Sequence, residues 1–173
     1  GGIAPLCGIS ARDDIMGDNK GFASGSTFAG MPAGCAAAIA TLQIFERDQV
    51  IAHARRLGQV AIDIMRGWES FSIVRQVRGN GLLLGVSFRK PGDADTAEED
   101  WWTARAVRSK MLENGVWAIS DHEDTIRMYP ALNMEESTLR EGLQVMQQAI
   151  ADVEEQGHAE GDTPAYPSGV SGF

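Results

Sequence analysis

Apolar positions along this chain follow two periods, and each period predicts a different kind of element. From Pro32 to about Arg47 the residues are apolar nearly all round, with Cys35 to Ala40 small or apolar at every position, as expected of a helix buried inside a larger body. Val50, Ala54, Leu57, Ala61 and Met65 keep a helical spacing behind Asp48, a candidate N-cap, and predict a second helix ending near Gly67. Leu139, Leu143, Met146, Ile150 and Val153 make one stripe on a last helix over about residues 135–154. Strand-like runs occupy 72–77 and 82–88, and Arg78-Gly79-Asn80-Gly81 between them reads as a hairpin connection. A further helix over about 97–114 is closed by Gly115 at its C′ position, and 116–119 and 125–129 read as two short strands around the turn 120–123.

The flanks are less regular. Residues 3–10, with Pro5 and Gly8 inside an apolar run, read as a short edge strand or turn, and Ser10 can cap a brief helix through Ile15 and Met16. Residues 17–26 are loop by composition, and beyond Gly157 a Gly, Pro and Ser rich stretch without period predicts a disordered tail over 157–173. No internal repeat is present. From residue 70 onward the order is two strands, a helix, two strands and a helix, an α+β unit in which helices cover one face of a small antiparallel sheet.

With 173 residues and 43% hydrophobic content the chain can bury a sizeable core. Its net charge of −9 argues against nonspecific binding to nucleic acid or anionic membrane, both of which need basic patches, so small molecules and protein partners are the expected ligands. No apolar run reaches transmembrane length, and the start lacks the pattern of a signal peptide. Two cysteines, Cys7 and Cys35, lie among small and apolar neighbours with no histidine at ligand spacing; they read as buried, reduced residues rather than a metal site or disulfide, which points to a cytoplasmic protein. The chain opens on Gly-Gly without Met, like the middle of a glycine-rich turn, and is expected to be part of something longer.

Two places carry candidate chemistry. In Ser26-Thr27-Phe28-Ala29-Gly30-Met31-Pro32, hydroxyls precede a helix that opens with Pro, where free N–H groups and the positive dipole end favour an anion. Taken alone, Thr27 reads as an ordinary cap or loop hydroxyl. Arg127 lies in an alternating strand on the face opposite Ile126 and Met128, together with Thr125 and Tyr129; taken alone, it is a solvated surface residue. Elsewhere, Arg78 and its glycines read as a braced turn that permits positive φ. Of Trp101 and Trp102, one ring is expected to pack inward and the other to cover a neighbouring surface, while His53 and His122 read as surface or loop residues. Lys20, Lys90 and Lys110 suit no buried amine chemistry.

These segments, taken with Gly1-Gly2-Ile3-Ala4-Pro5-Leu6, the Arg78-Gly79-x-Gly81 turn and Asp124-Thr125-Ile126-Arg127-Met128-Tyr129-Pro130, resemble the C-terminal part of class III aminotransferases over nearly the whole chain to about residue 155. The departures are Ser24 and Met31, where the family often has His and Asn. The resemblance implies the end of a fold-type-I large domain over 1–50, which mixes α and β structure to hold pyridoxal 5'-phosphate, and a small C-terminal domain over 51–156. It implies ping-pong transfer of an amino group from an amine or amino acid to a 2-oxo acid in a homodimer. Thr27, with Ser26 as the weaker candidate, would bond the phosphate of the partner subunit's cofactor, and Arg127 would hold the substrate carboxylate. The lysine that links covalently to the cofactor falls ahead of Gly1 by this comparison, so no catalytic residue is assigned and the chain alone is expected to be inactive. The competing expectation is a noncatalytic truncated or degenerate relative that serves as an interaction module.

Overall fold

In a computed structural model the described residues are 6–16, 27–89, 101–120 and 124–156. The chain divides into two compact units, Gly1–Val50 and Ile51–Phe173.

The first unit is helical where described. The helix α1, Asp13–Met16, starts three residues after Ser10, with the Arg12 carbonyl accepting the Ile15 and Met16 N–H groups at 3.0 Å each. Residues 6–10 form neither helix nor strand, so the expected edge strand is absent there. The helix α2, Pro32–Arg47, has Pro at its first position and Met31 at its N-cap. Its side chains Ile39, Leu42 and Ile44 are exposed, and Gly34 is its buried residue. Cys7, expected to be buried, is exposed, and Cys35 is half-buried. The expected loop over 17–26 lies outside the described residues, as do His122, Lys20, Lys90 and the tail 157–173.

Asp48 caps the end of α2 rather than the start of the next helix: its N–H donates to the Ile44 carbonyl at 2.9 Å, and its carboxylate takes a two-pronged ion pair from Arg47 at 2.6 and 2.8 Å. That contact holds the Asp48 carboxyl below its usual range, the Arg47 hydrogen bond being the main cause. The chain then passes through Gln49 at φ +51, and α3 runs Val50–Arg66.

The second unit places a three-stranded antiparallel sheet, in the order β1-β2-β3, against helices. The strands are β1 (Val74–Asn80), β2 (Leu83–Phe88) and β3 (Thr125–Met128), and the helices after α3 are α4 (Trp101–Glu113) and α5 (Glu136–Gln156). Residues 116–118, expected as part of a strand, are irregular, and Ile119 makes a single bridge to Arg127. In β1 the apolar Val74 and Val77 stand three apart, which a regular pleat cannot put on one face. A bulge resolves this: Val74 pairs with Phe88 and Gln76 with Ser87, so Arg75 is the extra residue and both valines turn to the core.

The hairpin connection is tighter than the sequence suggested. Arg78, Gly79 and Asn80 all remain paired in β1, and the turn is Gly81-Leu82 with Gly81 at φ +56. Gly79 serves packing instead of turning, since a Cβ there would press on the Leu84 side chain and approach Ile62 of α3. Gly58 of α3 likewise has no room for a methyl, because the Gly81 backbone lies directly against it.

The core joins Leu57, Ala61 and Met65 of α3, Trp68, the sheet residues Leu84, Val86, Phe88 and Ile126, and the α5 stripe Leu139, Leu143, Met146, Ile150 and Val153. At roughly 1.5–3 kcal/mol for each large apolar side chain fully buried, this cluster outweighs every surface ion pair in the unit. Trp68 keeps its indole N–H satisfied on the Gln147 side chain at 3.3 Å. The helix α4 ends in a Schellman motif, with Gly115 at φ +82, its N–H on the Leu112 carbonyl and the Val116 N–H on that of Met111. Trp101 and Trp102 stack on each other, centroids 3.9 Å apart, and both are half-buried rather than divided between core and surface. Lys110 is half-buried and donates to the Gln156 side chain at 3.1 Å.

His53, expected on the surface or in a loop, is half-buried on α3, where its Nε2 meets the Met134 carbonyl at 2.9 Å. An acceptor there requires the proton on Nε2, which leaves Nδ1 to face the Arg56 guanidinium at 3.4 Å. The imidazole thereby ties α3 to the segment that leads into α5.

Candidate functional site

Thr27 opens a turn, and it is not the helix cap. The Met31 N–H donates to the Phe28 carbonyl at 3.1 Å, with Gly30 at φ +73 in the third position, where a type II turn needs a glycine. Met31 occupies the N-cap of α2, which has no side-chain cap and no acidic residue in its first turn. Thr27 is exposed. Ser26 lies outside the described residues. Among the described residues this end of α2 offers first-turn N–H groups beside the positive end of a sixteen-residue helix, no acidic residue in its first turn, and an exposed threonine hydroxyl ahead of the turn that leads into it. Those are the donors that a phosphate dianion takes.

Arg127 is half-buried in the middle of β3, an unusual place for a merely solvated arginine. Its own N–H and carbonyl both turn to one edge of the strand. Opposite it on β2 stands Gly85, and on the other edge its N–H donates to the Ile119 carbonyl at 2.8 Å while its carbonyl accepts the Ile119 N–H at 3.2 Å. Ile126 is fully buried and Met128 packs against the core, so the alternation read from the sequence holds and Arg127 belongs to the opposite face. Beside it, a cavity of about 560 Å3 runs along 114–119, 127–131 and the first turns of α5. Among its described walls Arg127 is the one cation and Glu141 the one anion, and Trp117 and Tyr129 stand exposed at it.

Behind Arg127 the outer face of the sheet carries a polar chain that the sequence did not reveal. Arg78 donates through Nη1 to Ser87 Oγ at 2.6 Å and through Nη2 to Thr125 Oγ1 at 3.2 Å. Thr125 donates its proton to Asp124 Oδ1 at 2.7 Å, so in the 2.8 Å contact between the two hydroxyls Ser87 is the donor. Asp124 in turn pairs with Arg75 at the bulge. Ser87, Thr125 and Asp124 are buried. The signal available in the sequence was Ser87 interrupting an otherwise apolar run at the same parity as Gly85. Its partners, however, depend on a register that no single strand displays. Among the described residues no group of histidines, cysteines and carboxylates is placed to hold a metal, and no helix is long and apolar enough to cross a membrane.

Comparison with known proteins gives this geometry its context. The family model described as aminotransferase class-III matches residues 1–150. The mitochondrial ornithine aminotransferase of Rattus norvegicus is 32% identical over 87% of this chain, and the leucine/methionine racemase of Thermococcus litoralis is 31% identical over 90%. Among solved structures, the acetylornithine aminotransferase from Elizabethkingia anophelis superposes with a TM-score of 0.66 at 28% identity over 82% of the chain. The chain spans about a third of the length of each of these relatives: 32%, 35% and 34%. On the match over residues 1–150, the chain belongs to the class III aminotransferases.

Proposed function

We propose that this chain forms part of a pyridoxal-phosphate-dependent aminotransferase that moves an amino group from an amine or amino acid to a 2-oxo acid in two half-reactions. The observation that carries the reading is Arg127, a half-buried guanidinium on a short strand that pairs with β2 on one edge and is bonded to Ile119 through the Arg127 main chain on the other. A planar fork of N–H donors meets both oxygens of a carboxylate at once, and a rigid strand fixes the direction from which it does so. Amino and keto acids share that carboxylate, so one guanidinium serves both half-reactions. When bound, the cofactor supplies an electron sink for the bonds around the substrate α-carbon. The residues of this chain would bind and orient: Thr27 would donate to a phosphate oxygen, the start of α2 would add its dipole and N–H groups, and Arg127 would hold the acid end of the substrate.

In this reading residues 1–50 are the end of the cofactor domain and 51–156 the small domain of a cytoplasmic homodimer, with Thr27 serving the partner's phosphate. The family match and the uncapped, carboxylate-free start of α2 support it. The amino donor stays unassigned, since an ornithine aminotransferase and an amino-acid racemase resemble the chain almost equally. The test is to supply the complete protein with pyridoxal phosphate and measure an absorbance band abolished by borohydride, together with amino transfer to pyruvate against 2-oxoglutarate. Both signals are expected. Their joint absence would favour the competing reading, a noncatalytic interaction module, for which the exposed Ile39, Leu42 and Ile44 of α2 offer a surface.

A further inference from the structure

We infer that Arg78 is a positioning residue for Arg127, acting through the hydroxyl chain of Ser87 and Thr125; the inference rests on the carboxylate-binding reading of Arg127. The sheet register sets Arg78 of β1, Gly85 of β2 and Arg127 of β3 in one row across the outer face. Gly85 has no side chain to stand between the two guanidinium stems. Arg78 does not simply brace a turn, because it sits inside β1 and grips the other two strands by their hydroxyls, Ser87 at 2.6 Å and Thr125 at 3.2 Å.

The strand that needs holding is β3. It has four residues and, among the described residues, pairs fully with β2 alone and has a single bridge at Ile119 on its other edge. Thr125 precedes Arg127 by two residues on the same face, so a bond that fixes Thr125 fixes the plane from which Arg127 leaves the sheet. The donor direction runs one way, from Arg78 to Ser87 to Thr125 to Asp124, and Asp124 is closed off by Arg75. Each hydroxyl proton is therefore committed, and the chain ends on a paired carboxylate. With both buried hydroxyl protons committed, the Ser87 and Thr125 hydroxyls have one low-energy arrangement, which suits them to set direction more than to add stability.

The test compares Michaelis constants in the complete protein. Thr125→Val keeps the shape of the side chain and removes the hydroxyl, Thr125→Ser restores it, and Arg78→Gln removes the charge. Thr125→Val and Arg78→Gln are expected to raise the Michaelis constant for amino and keto acids about tenfold, with cofactor affinity unchanged and Thr125→Ser close to wild type. In an Arg127→Leu background the same changes should add nothing. Thr125→Val guards against misfolding of the Arg78 variant. If Arg127→Leu leaves acid substrates unaffected, both the carboxylate reading and this inference fall. If Arg127→Leu weakens them but Thr125→Val and Arg78→Gln lower only thermal stability, or act additively with it, the inference alone is overturned.

Discussion

Replacing Gly58 with Ala should destabilise the protein, although Ala is the better helix former. Gly58 lies inside α3, where exchanging Gly for Ala normally contributes about 0.5–1 kcal/mol. Here the added Cβ would overlap the carbonyl of Gly81 and come within 2.6 Å of its Cα, so the neighbour that must yield is backbone, not the end of a flexible side chain. Overpacking of this kind costs about 1–3 kcal/mol, and a backbone obstacle puts it in the upper part of that range. The net expectation is a loss of about 1–2 kcal/mol, or about 2–8 °C in the melting midpoint at about 2–4 °C per kcal/mol for a chain of this length. Gly142 provides the internal control. It too lies inside a helix, α5, but a Cβ there meets nothing within 4 Å, so Gly142→Ala should stabilise by about 0.5–1 kcal/mol. Urea and thermal unfolding of the two variants side by side give the answer as a sign. A Gly58→Ala protein as stable as the parent, or more so, would show that α3 does not cross the hairpin turn as described.

Other expectations follow from the same contacts. Gln49 sits at φ +51, so Gln49→Gly should be neutral or stabilising while Gln49→Val loses about 1 kcal/mol or more, read by chemical denaturation. Hydrogen bonds from Arg140, then Arg56, hold the Glu136 carboxyl below its ordinary value. A depressed carboxylate contributes stability above the unfolded value of about 4.3 and loses it as pH falls through the lower folded value. Glu136→Gln should therefore flatten the acid limb by lowering stability at neutral pH while leaving it nearly unchanged at acid pH, read by chemical denaturation across that range. Thr27→Val should weaken pyridoxal phosphate binding by roughly tenfold, the value of about 1.5 kcal/mol for a hydrogen bond to a charged group, with no effect on acid substrates. Equilibrium dialysis of the cofactor measures it.

The long helices were legible because burial writes itself into spacing: the stripes Leu57, Ala61, Met65 and Leu139, Leu143, Met146, Ile150, Val153 are the buried faces of α3 and α5. Gly115 ended α4 as its position implied, since a positive φ leaves few other choices. What escaped were features decided by a partner. Asp48 is as good a cap by type at the start of a helix, but Arg47 beside it claimed its carboxylate. Residues 116–118 have strand-like composition, but only Ile119 reaches a partner strand. The Arg78-Gly79-Asn80-Gly81 segment read as a turn from its glycines, whereas Gly79 is there to admit Leu84 and Ile62. At the candidate site, the alternation that set Arg127 apart from Ile126 and Met128 was visible in one strand. The chain from Arg78 to Asp124 was not, because it spans three strands and a bulge at Arg75 fixes its register.

The account depends above all on Arg127 meeting the carboxylate of the substrate, and Arg127→Lys in the complete protein tests it most directly. Lysine keeps the charge but loses the two-pronged geometry. The expected result is a Michaelis constant for amino and 2-oxo acids raised about tenfold or more, with pyridoxal phosphate affinity unchanged. Unaltered Michaelis constants for both acids would contradict the account.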